Sequence, residues 1–404
     1  MARMSEPLSG DSISGETHIS PAASQQVTVS GGTLRSTVLP QIEWEGPTPK
    51  VKPSERQRFE ELGLLGEGGM GEVVLAMDHD IARQVALKRL PENCDLGRVL
   101  RFAEEIRTVG QLEHPNIVPV HDVGVDSAGR YYFVMKHLRG ETLESIIARL
   151  KAGDDAAHAR FTMEVRTQIF LSVLNAMAYA HQQGFIHRDL KPANIMVGPY
   201  GEVTVMDWGL AKRIRGAEQR PELPMTQSRE RTVLQTQVGA VMGTPLYMSP
   251  EQARGAHNEV DERSDLYALT VIFHEFLHLD HYLAGRAGLQ EVLAGVQATT
   301  PVLHKMNTRA ARYQVPADLD WFLARGFKKA PAERYQSVQE MHDELQRIIR
   351  GECRVQCHRT FMKRMLGEAQ RGLDRYPVAM VAASFAVLGL AGFTVVQTVA
   401  SLLR

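Results

Sequence analysis

Four of the six residues in Gly66-Glu67-Gly68-Gly69-Met70-Gly71 are glycine, and Glu72-Val73-Val74-Leu75-Ala76 follows at once. A β-branched apolar run directly after the glycines reads as a strand, so the glycines occupy a tight strand-to-strand turn. Such a turn lets backbone N–H groups approach phosphate oxygens, because no Cβ stands in the way. An ordinary hairpin turn is the competing reading of these residues alone. A dinucleotide-binding fingerprint would need a helix at this point, which the following strand disfavours. Next comes Val85-Ala86-Leu87-Lys88. A lysine inside an apolar strand needs an anionic partner, since burying it unpaired is costly. Glu105, in the helix-like stretch from Arg101 to Leu112, is the candidate.

A second cluster lies a hundred residues further on: His187-Arg188-Asp189-Leu190-Lys191-Pro192-Ala193-Asn194, then Asp207-Trp208-Gly209. A carboxylate, a lysine and an amide within six positions can accept a hydroxyl proton, neutralise a phosphate and hold a divalent cation. Asp207 adds a second hard oxygen ligand of the kind Mg²⁺ prefers. Each piece is common alone. The ordered set is not.

With these motifs in this order, residues 59–349 resemble a protein kinase, specifically a bacterial Ser/Thr kinase of the eukaryotic-like (Hanks) type. The resemblance implies an α+β, two-lobed fold: a small β-rich N-lobe (59–135) and a larger helical C-lobe (139–350). It implies that Leu65, Gly66, Gly68 and Gly71 cover ATP, and that Val73 and Ala86 sandwich the adenine from above and Met196 from below. Lys88 would hold the α- and β-phosphates while paired to Glu105, which stands nine residues before His114 of His114-Pro115-Asn116-Ile117-Val118; Glu104 is the alternative. Met135 resembles the gatekeeper, so Lys136 to Leu138 would form the hinge. Asp189 would accept the proton of the attacking hydroxyl, Lys191 would stabilise the transferring phosphoryl, and Asn194 and Asp207 would bind Mg²⁺. The expected enzyme is a Ser/Thr kinase acting on protein substrates, with self-association into a homodimer as a further expectation.

Lys191 and the run Gly243-Thr244-Pro245-Leu246-Tyr247-Met248-Ser249-Pro250-Glu251 favour Ser/Thr over Tyr substrates within this resemblance. Glu251 would pair with Arg334, and Asp265 would brace the catalytic loop. The sequence departs from the family in two places. Trp208 stands where Phe is usual, and a polar insert at 213–236 lengthens the segment between Asp207 and Glu251. That insert carries Thr226, Ser228, Thr232 and Thr236. Arg188 beside the catalytic Asp is the residue expected to meet a phosphorylated loop side chain, so autophosphorylation is expected at Thr232 or Thr236. A solvated loop is the alternative. Because no essential residue is missing, a non-catalytic nucleotide-binding scaffold is disfavoured.

Two metal-like patterns need weighing. His274-Glu275-Phe276-Leu277-His278 matches H-E-x-x-H, with His281 as a third nitrogen. Its neighbours Leu269, Val271, Ile272 and Phe273 point instead to a core helix of the C-lobe. Cys353 and Cys357-His358 have no matching second pair, and read as spare thiols.

Composition settles the ends. Residues 1–55 are rich in Ser, Thr, Gly and Pro, lack periodicity, and read as a disordered arm without a signal peptide. Lys+Arg number 46 against 47 Asp+Glu, which argues against a generally basic nucleic-acid binder. From Tyr376 to Leu403 no residue is charged. The stretch 377–399 is long enough at ~1.5 Å per residue to cross a ~30 Å hydrocarbon core as one transmembrane helix. Before it, 351–375 reads as a basic juxtamembrane linker with six Lys/Arg against three acidic residues. By the positive-inside rule this places the kinase on the cytoplasmic side of a cell membrane, as a single-pass protein, with no sensor domain expected within these 404 residues.

Overall fold

The computed structural model of the chain describes residues 41–52, 57–68, 71–92, 94–214, 244–256, 258–301, 314–352 and 358–375, with isolated positions 389, 393 and 394 beyond them. Within the stretch expected to be a disordered arm, 41–52 differ: β1 (Gln41–Glu45) and β2 (Thr48–Lys52) form an antiparallel hairpin. Ile42 and Trp44 alternate with polar residues and pair across with Val51 and Pro49. That alternation is the local strand signal, hidden in the sequence by the Ser/Thr/Pro background.

The N-lobe is a five-stranded antiparallel sheet built from β3 (Phe59–Gly68), β4 (Gly71–Asp78), β5 (Arg83–Arg89), β6 (Val120–Val125) and β7 (Tyr131–Lys136). Its spatial order is β3-β4-β5-β7-β6. Alternation decides its faces. Val74 and Ala76 of β4, Val85 and Leu87 of β5, and Tyr132 and Val134 of β7 form one buried cluster with Phe59. Helix α1 (Leu96–Val109) covers the other face, packing Phe102 on Phe133 with ring centroids 5.3 Å apart. It begins where Asp95 accepts a hydrogen bond from the Arg98 amide at 2.9 Å, a side-chain N-cap.

The C-lobe is helical. It contains β8 (Glu141–Thr142), α2 (Leu143–Lys151), α3 (Asp155–Arg160) and α4 (Met163–Gln182), followed by the short strands β9 (Phe185–Ile186), β10 (Ile195–Val197), β11 (Val203–Val205) and β12 (Lys212–Arg213). Then come α5 (Pro250–Ala253), α6 (Glu262–His278), α7 (Leu289–Ala298), α8 (Ala317–Gly326), α9 (Val338–Ile349) and α10 (His358–Arg375). Helix α6 is the axis: every residue from Ser264 to His278 is buried. A helix apolar nearly all round must lie inside, and each fully buried Leu, Ile or Phe contributes about 1.5–3 kcal/mol. Phe273 of α6 stacks on Phe170 of α4 with centroids 4.0 Å apart. The two lobes are stitched where Val205 donates to the Asn116 carbonyl at 2.8 Å and Val118 to the Val205 carbonyl at 3.2 Å.

Among the described residues no helix is long and apolar enough to cross a membrane. The run 377–399 lies outside them apart from the three isolated positions. The stretch expected as a basic linker contains α10, which packs against α8.

Candidate active site

The site begins with the pairing of β4 and β5. Val73 stands opposite Lys88, and on the next ladder Ala86 stands opposite Met135 of β7. Strand alternation therefore sends Lys88 and Ala86 to one side of β5. Ala86 is buried, while Val73, Met135, Leu138 and Met196 are half-buried. The Lys88 Nζ donates to Glu105 Oε1 at 2.6 Å and to Asp207 Oδ1 at 3.5 Å. Glu105, rather than Glu104, is thus the partner on α1. The lysine joins sheet, helix and C-lobe.

Its charge is held there. Burial works to lower the Lys88 pKa, but Glu105 and Asp207 together outweigh it and keep the ammonium above its ordinary value. Burial likewise works to raise Asp207, yet Lys88, His187 and Lys191 hold its carboxyl below the usual range. Glu105 is raised by burial, only partly offset by Lys88, and its Oε2 has no hydrogen-bond partner among the described residues.

On the C-lobe side, Lys191 Nζ donates to Asp189 Oδ2 at 2.7 Å. The Asn194 side-chain amide donates to the Asp189 carbonyl at 3.0 Å, which fixes the turn Pro192–Asn194 and leaves its amide oxygen as a hard donor. The Met206 amide donates to the Asn194 carbonyl at 2.8 Å, so Asp207 follows directly from the catalytic loop's own hydrogen bonding. Arg188 (φ +69°) and Asp207 (φ +58°) both adopt left-handed backbone, a strained state for non-glycine residues. Such strain concentrates where geometry serves function.

Behind the loop sits Asp265 of α6. Its Oδ2 accepts from His181 Nε2 at 2.8 Å and from the His187 amide at 2.8 Å, and its Oδ1 accepts from the Arg188 amide at 2.9 Å. Burial pushes this carboxyl up, but His181, His187 and these hydrogen bonds outweigh it and hold it below the ordinary range. His187 donates from Nε2 to the Met206 carbonyl at 3.1 Å, and its ring lies 4.6 Å from that of Trp208. Trp208 fills the large apolar core and is 1% exposed, so the bulkier aromatic is accommodated. Its indole Nε1 finds no acceptor among the described residues.

The glycines divide by cause. A Cβ on Gly71 (φ +139°) would meet the Arg89 carbonyl oxygen at 2.1 Å, so the fold itself demands glycine there. On Gly66 and Gly68 a Cβ would meet nothing within 4 Å, and neither has positive φ. Their bareness is not required by the chain's own packing, which leaves room beside the sheet for a ligand. Leu65, beside them, is 48% exposed. Gly71→Ala is therefore expected to lower the melting temperature clearly, whereas Gly66→Ala leaves it nearly unchanged and instead raises KM for ATP. Thermal melts and ATP titrations of the two variants check this.

The donor set fits a hard divalent cation. Asp207 offers a partly exposed carboxylate held charged, and Asn194 an amide oxygen, the all-oxygen chemistry of Mg²⁺. The His-Glu-x-x-His pattern does not form such a set. Glu275 accepts from Lys151 Nζ at 2.8 Å and from the Tyr247 hydroxyl at 2.6 Å, while His274 and His278 stack on each other inside α6. No group of three or more His, Cys, Asp or Glu placed to hold a metal occurs among the described residues. Cys353 and Cys357 lie outside them, as do Gly69 and Met70.

The segment that closes the site is anchored at its far end. Glu251 and Arg334, both fully buried, share two parallel hydrogen bonds of 2.8 Å. Gln252 Nε2 donates to the Arg188 carbonyl at 2.9 Å, tying that end to the catalytic loop. Sequence reasoning missed Gln252, and also His181. Gln252 was discoverable as the N3 position of a capping box with Ser249; nothing local signalled His181.

Comparison with known proteins agrees with this geometry. The protein kinase domain family matches residues 59–345. This chain belongs to the protein kinase family. Among its curated relatives, the serine/threonine-protein kinase PknD of Protochlamydia amoebophila is 33% identical over 316 residues, covering 74% of this chain and 30% of that protein. The PknD of Chlamydia felis is 33% identical over 304 residues, covering 73% and 31%. That of Chlamydia trachomatis serovar D is 32% identical over 309 residues, covering 73% and 32%. The kinase thus spans about a third of the length of these relatives.

Proposed function

We propose that the chain is a catalytically competent Ser/Thr protein kinase that transfers the γ-phosphoryl of ATP to protein hydroxyls. The observation that carries this reading is the convergence on Lys88: its ammonium reaches Glu105 on α1 and Asp207 across the cleft at the same time. In the reaction, Leu65, Gly66, Gly68 and Gly71 cover the nucleotide, and Val73, Ala86 and Met196 enclose the adenine. Met135 bounds the base pocket and Leu138 lies on the hinge. Lys88 holds the α- and β-phosphates. Asp189 orients the attacking hydroxyl and takes its proton, and Lys191, already beside it, neutralises charge on the passing phosphoryl. Asn194 and Asp207 hold Mg²⁺, which when bound offsets the charge of the phosphates. Most of the catalytic effect then comes from placement of charges rather than covalent chemistry.

The reading extends to regulation and location. Autophosphorylation falls in 226–244, at Thr232 or Thr236, and Arg188 receives the new phosphate. That insert lies outside the described residues. The uncharged run 377–399 anchors the kinase as a single span, with the net +3 of residues 351–375 keeping the domain on the cytoplasmic face. Both parts rest on sequence. Incubation of the full chain with Mg-ATP followed by mass spectrometry is expected to place phosphate on Thr or Ser between Thr226 and Thr244. Phosphate only elsewhere, or on tyrosine, would overturn the proposed regulation or the proposed substrate class respectively.

A further inference from the structure

Helix α10 sits on the kinase the wrong way round for a surface helix. Its side chains at 360 and 363 face the C-lobe: Thr360 is 1% exposed, and Lys363 pairs with the buried carboxylate of Asp318 at the start of α8. On the opposite side, at 100° per residue, fall Phe361, Met362, Met365 and Leu366. These are 48%, 63%, 49% and 72% exposed. An amphipathic helix on a globular domain ordinarily turns this stripe inward. Here the polar side is the one taken by the protein, so the apolar stripe faces away from it.

We propose that this stripe lies in the interface of the lipid bilayer, with α10 parallel to the membrane plane as the platform on which the kinase domain stands. The inference rests on the anchor reading above, and two observations choose lipid over a second copy of the chain. First, the described part of α10 reaches Arg375, and the uncharged run begins at the very next residue, so on the anchor reading this end of the helix is held at the membrane surface. Second, the helix interleaves its apolar residues with Arg359, Lys363, Arg364, Arg371 and Arg375, the composition of interfacial helices that meet anionic headgroups. Because Lys363 and Thr360 grip the C-lobe, the catalytic cleft is held at a set attitude to the bilayer instead of swinging on a tether.

The test uses the full-length chain with Cys94, Cys353 and Cys357 replaced by Ser, in phosphatidylcholine–phosphatidylglycerol vesicles. The environment-sensitive fluorophore NBD is attached to Leu366→Cys, Val387→Cys or Ile81→Cys in turn. Lipids spin-labelled at the headgroup or deep in the acyl chain serve as quenchers. At 366 the shallow label should quench roughly twofold and the deep label less, as for a helix buried ~5–10 Å. At 387 the order should reverse, and at 81 neither should act. Quenching at 387 with none at 366 would overturn the platform while leaving the anchor intact. No quenching at either would remove the anchor and the platform together. Energy transfer between two copies labelled at 366, without lipid quenching there, would assign the stripe to a protein–protein contact and also overturn the proposal. Finally, Met362→Glu combined with a probe on Met365→Cys should abolish shallow quenching, with the probe at 387 unaffected in the same background. Unchanged quenching at 365 would count against a role for the stripe.

Discussion

Asp189→Asn is expected to lower kcat for phosphate transfer to a generic basic protein by about 10²–10⁴-fold, the range a positioned general base contributes. Each decade corresponds to about 1.36 kcal/mol of barrier. The fold should be untouched. An asparagine oxygen can still accept from Lys191, which donates at 2.7 Å to the carboxylate, and the Asn194 side chain bonds the backbone carbonyl of residue 189, which the change leaves in place. Affinity for ATP should therefore stay within a few-fold, because Lys88 and Asp207 are unaltered, and the thermal melt should coincide with wild type. Radiolabel transfer at saturating Mg-ATP measures the effect. A variant that keeps more than about a tenth of the rate would show that Asp189 is not the proton acceptor. Equal background rates in both proteins, with ATP still bound, would leave a nucleotide-binding scaffold.

The largest stability effect should come from Arg334→Met. All five guanidinium N–H groups are used: Nε bonds the Lys328 carbonyl at 2.8 Å, and Nη1 and Nη2 bond Glu251 together with the Arg263 and Lys329 carbonyls at 2.9 Å. Methionine fills similar volume but leaves the Glu251 carboxylate buried without its cation, although the Ser264 hydroxyl still donates to it at 2.7 Å. Breaking one side of a buried pair typically costs about 3–5 kcal/mol. For a domain of this size that is a fall in Tm on the order of 10 °C. Replacing both partners, as in Glu251→Gln with Arg334→Met, should cost less than the single change, because no charge is stranded. If the double variant is the less stable, the desolvation argument fails.

The same pair has a pH signature. Burial pushes Glu251 up, but Arg334 and Ser264 outweigh it and its folded carboxyl lies below the ordinary value. Its contribution is therefore complete above the unfolded value of about 4.3 and fades as pH falls through the lower folded value.

The chemistry of the cleft was legible because each motif is local. Lysine in an apolar strand, carboxylate and amide five positions apart, and a glutamate at fixed distance from His114 all announce themselves within a few residues. The two-lobed fold followed from strand-like runs preceding helical ones. What the sequence concealed was of two kinds. Some contacts join residues far apart with no local mark, such as Lys151 with Glu275 and His181 with Asp265. Others were masked by composition. The hairpin at 41–52 hid in a Ser/Thr/Pro background, and α10 hid in a basic stretch although Phe361, Met362, Met365 and Leu366 already carried helical spacing. At Gly71 the sequence hid a second cause for glycine, since a Cβ there would meet the Arg89 carbonyl oxygen.

The grip of Asp265 on two consecutive amides has a wider meaning for this enzyme. Residues 187 and 188 carry the backbone into Asp189, and they hang from the first turn of α6, a helix buried from Ser264 to His278. The reacting groups therefore inherit their placement from a helix enclosed by the C-lobe core. Peripheral elements can drift, fray or be remodelled by evolution while the chemistry stays in register, and heat should silence the kinase only when the whole C-lobe gives way.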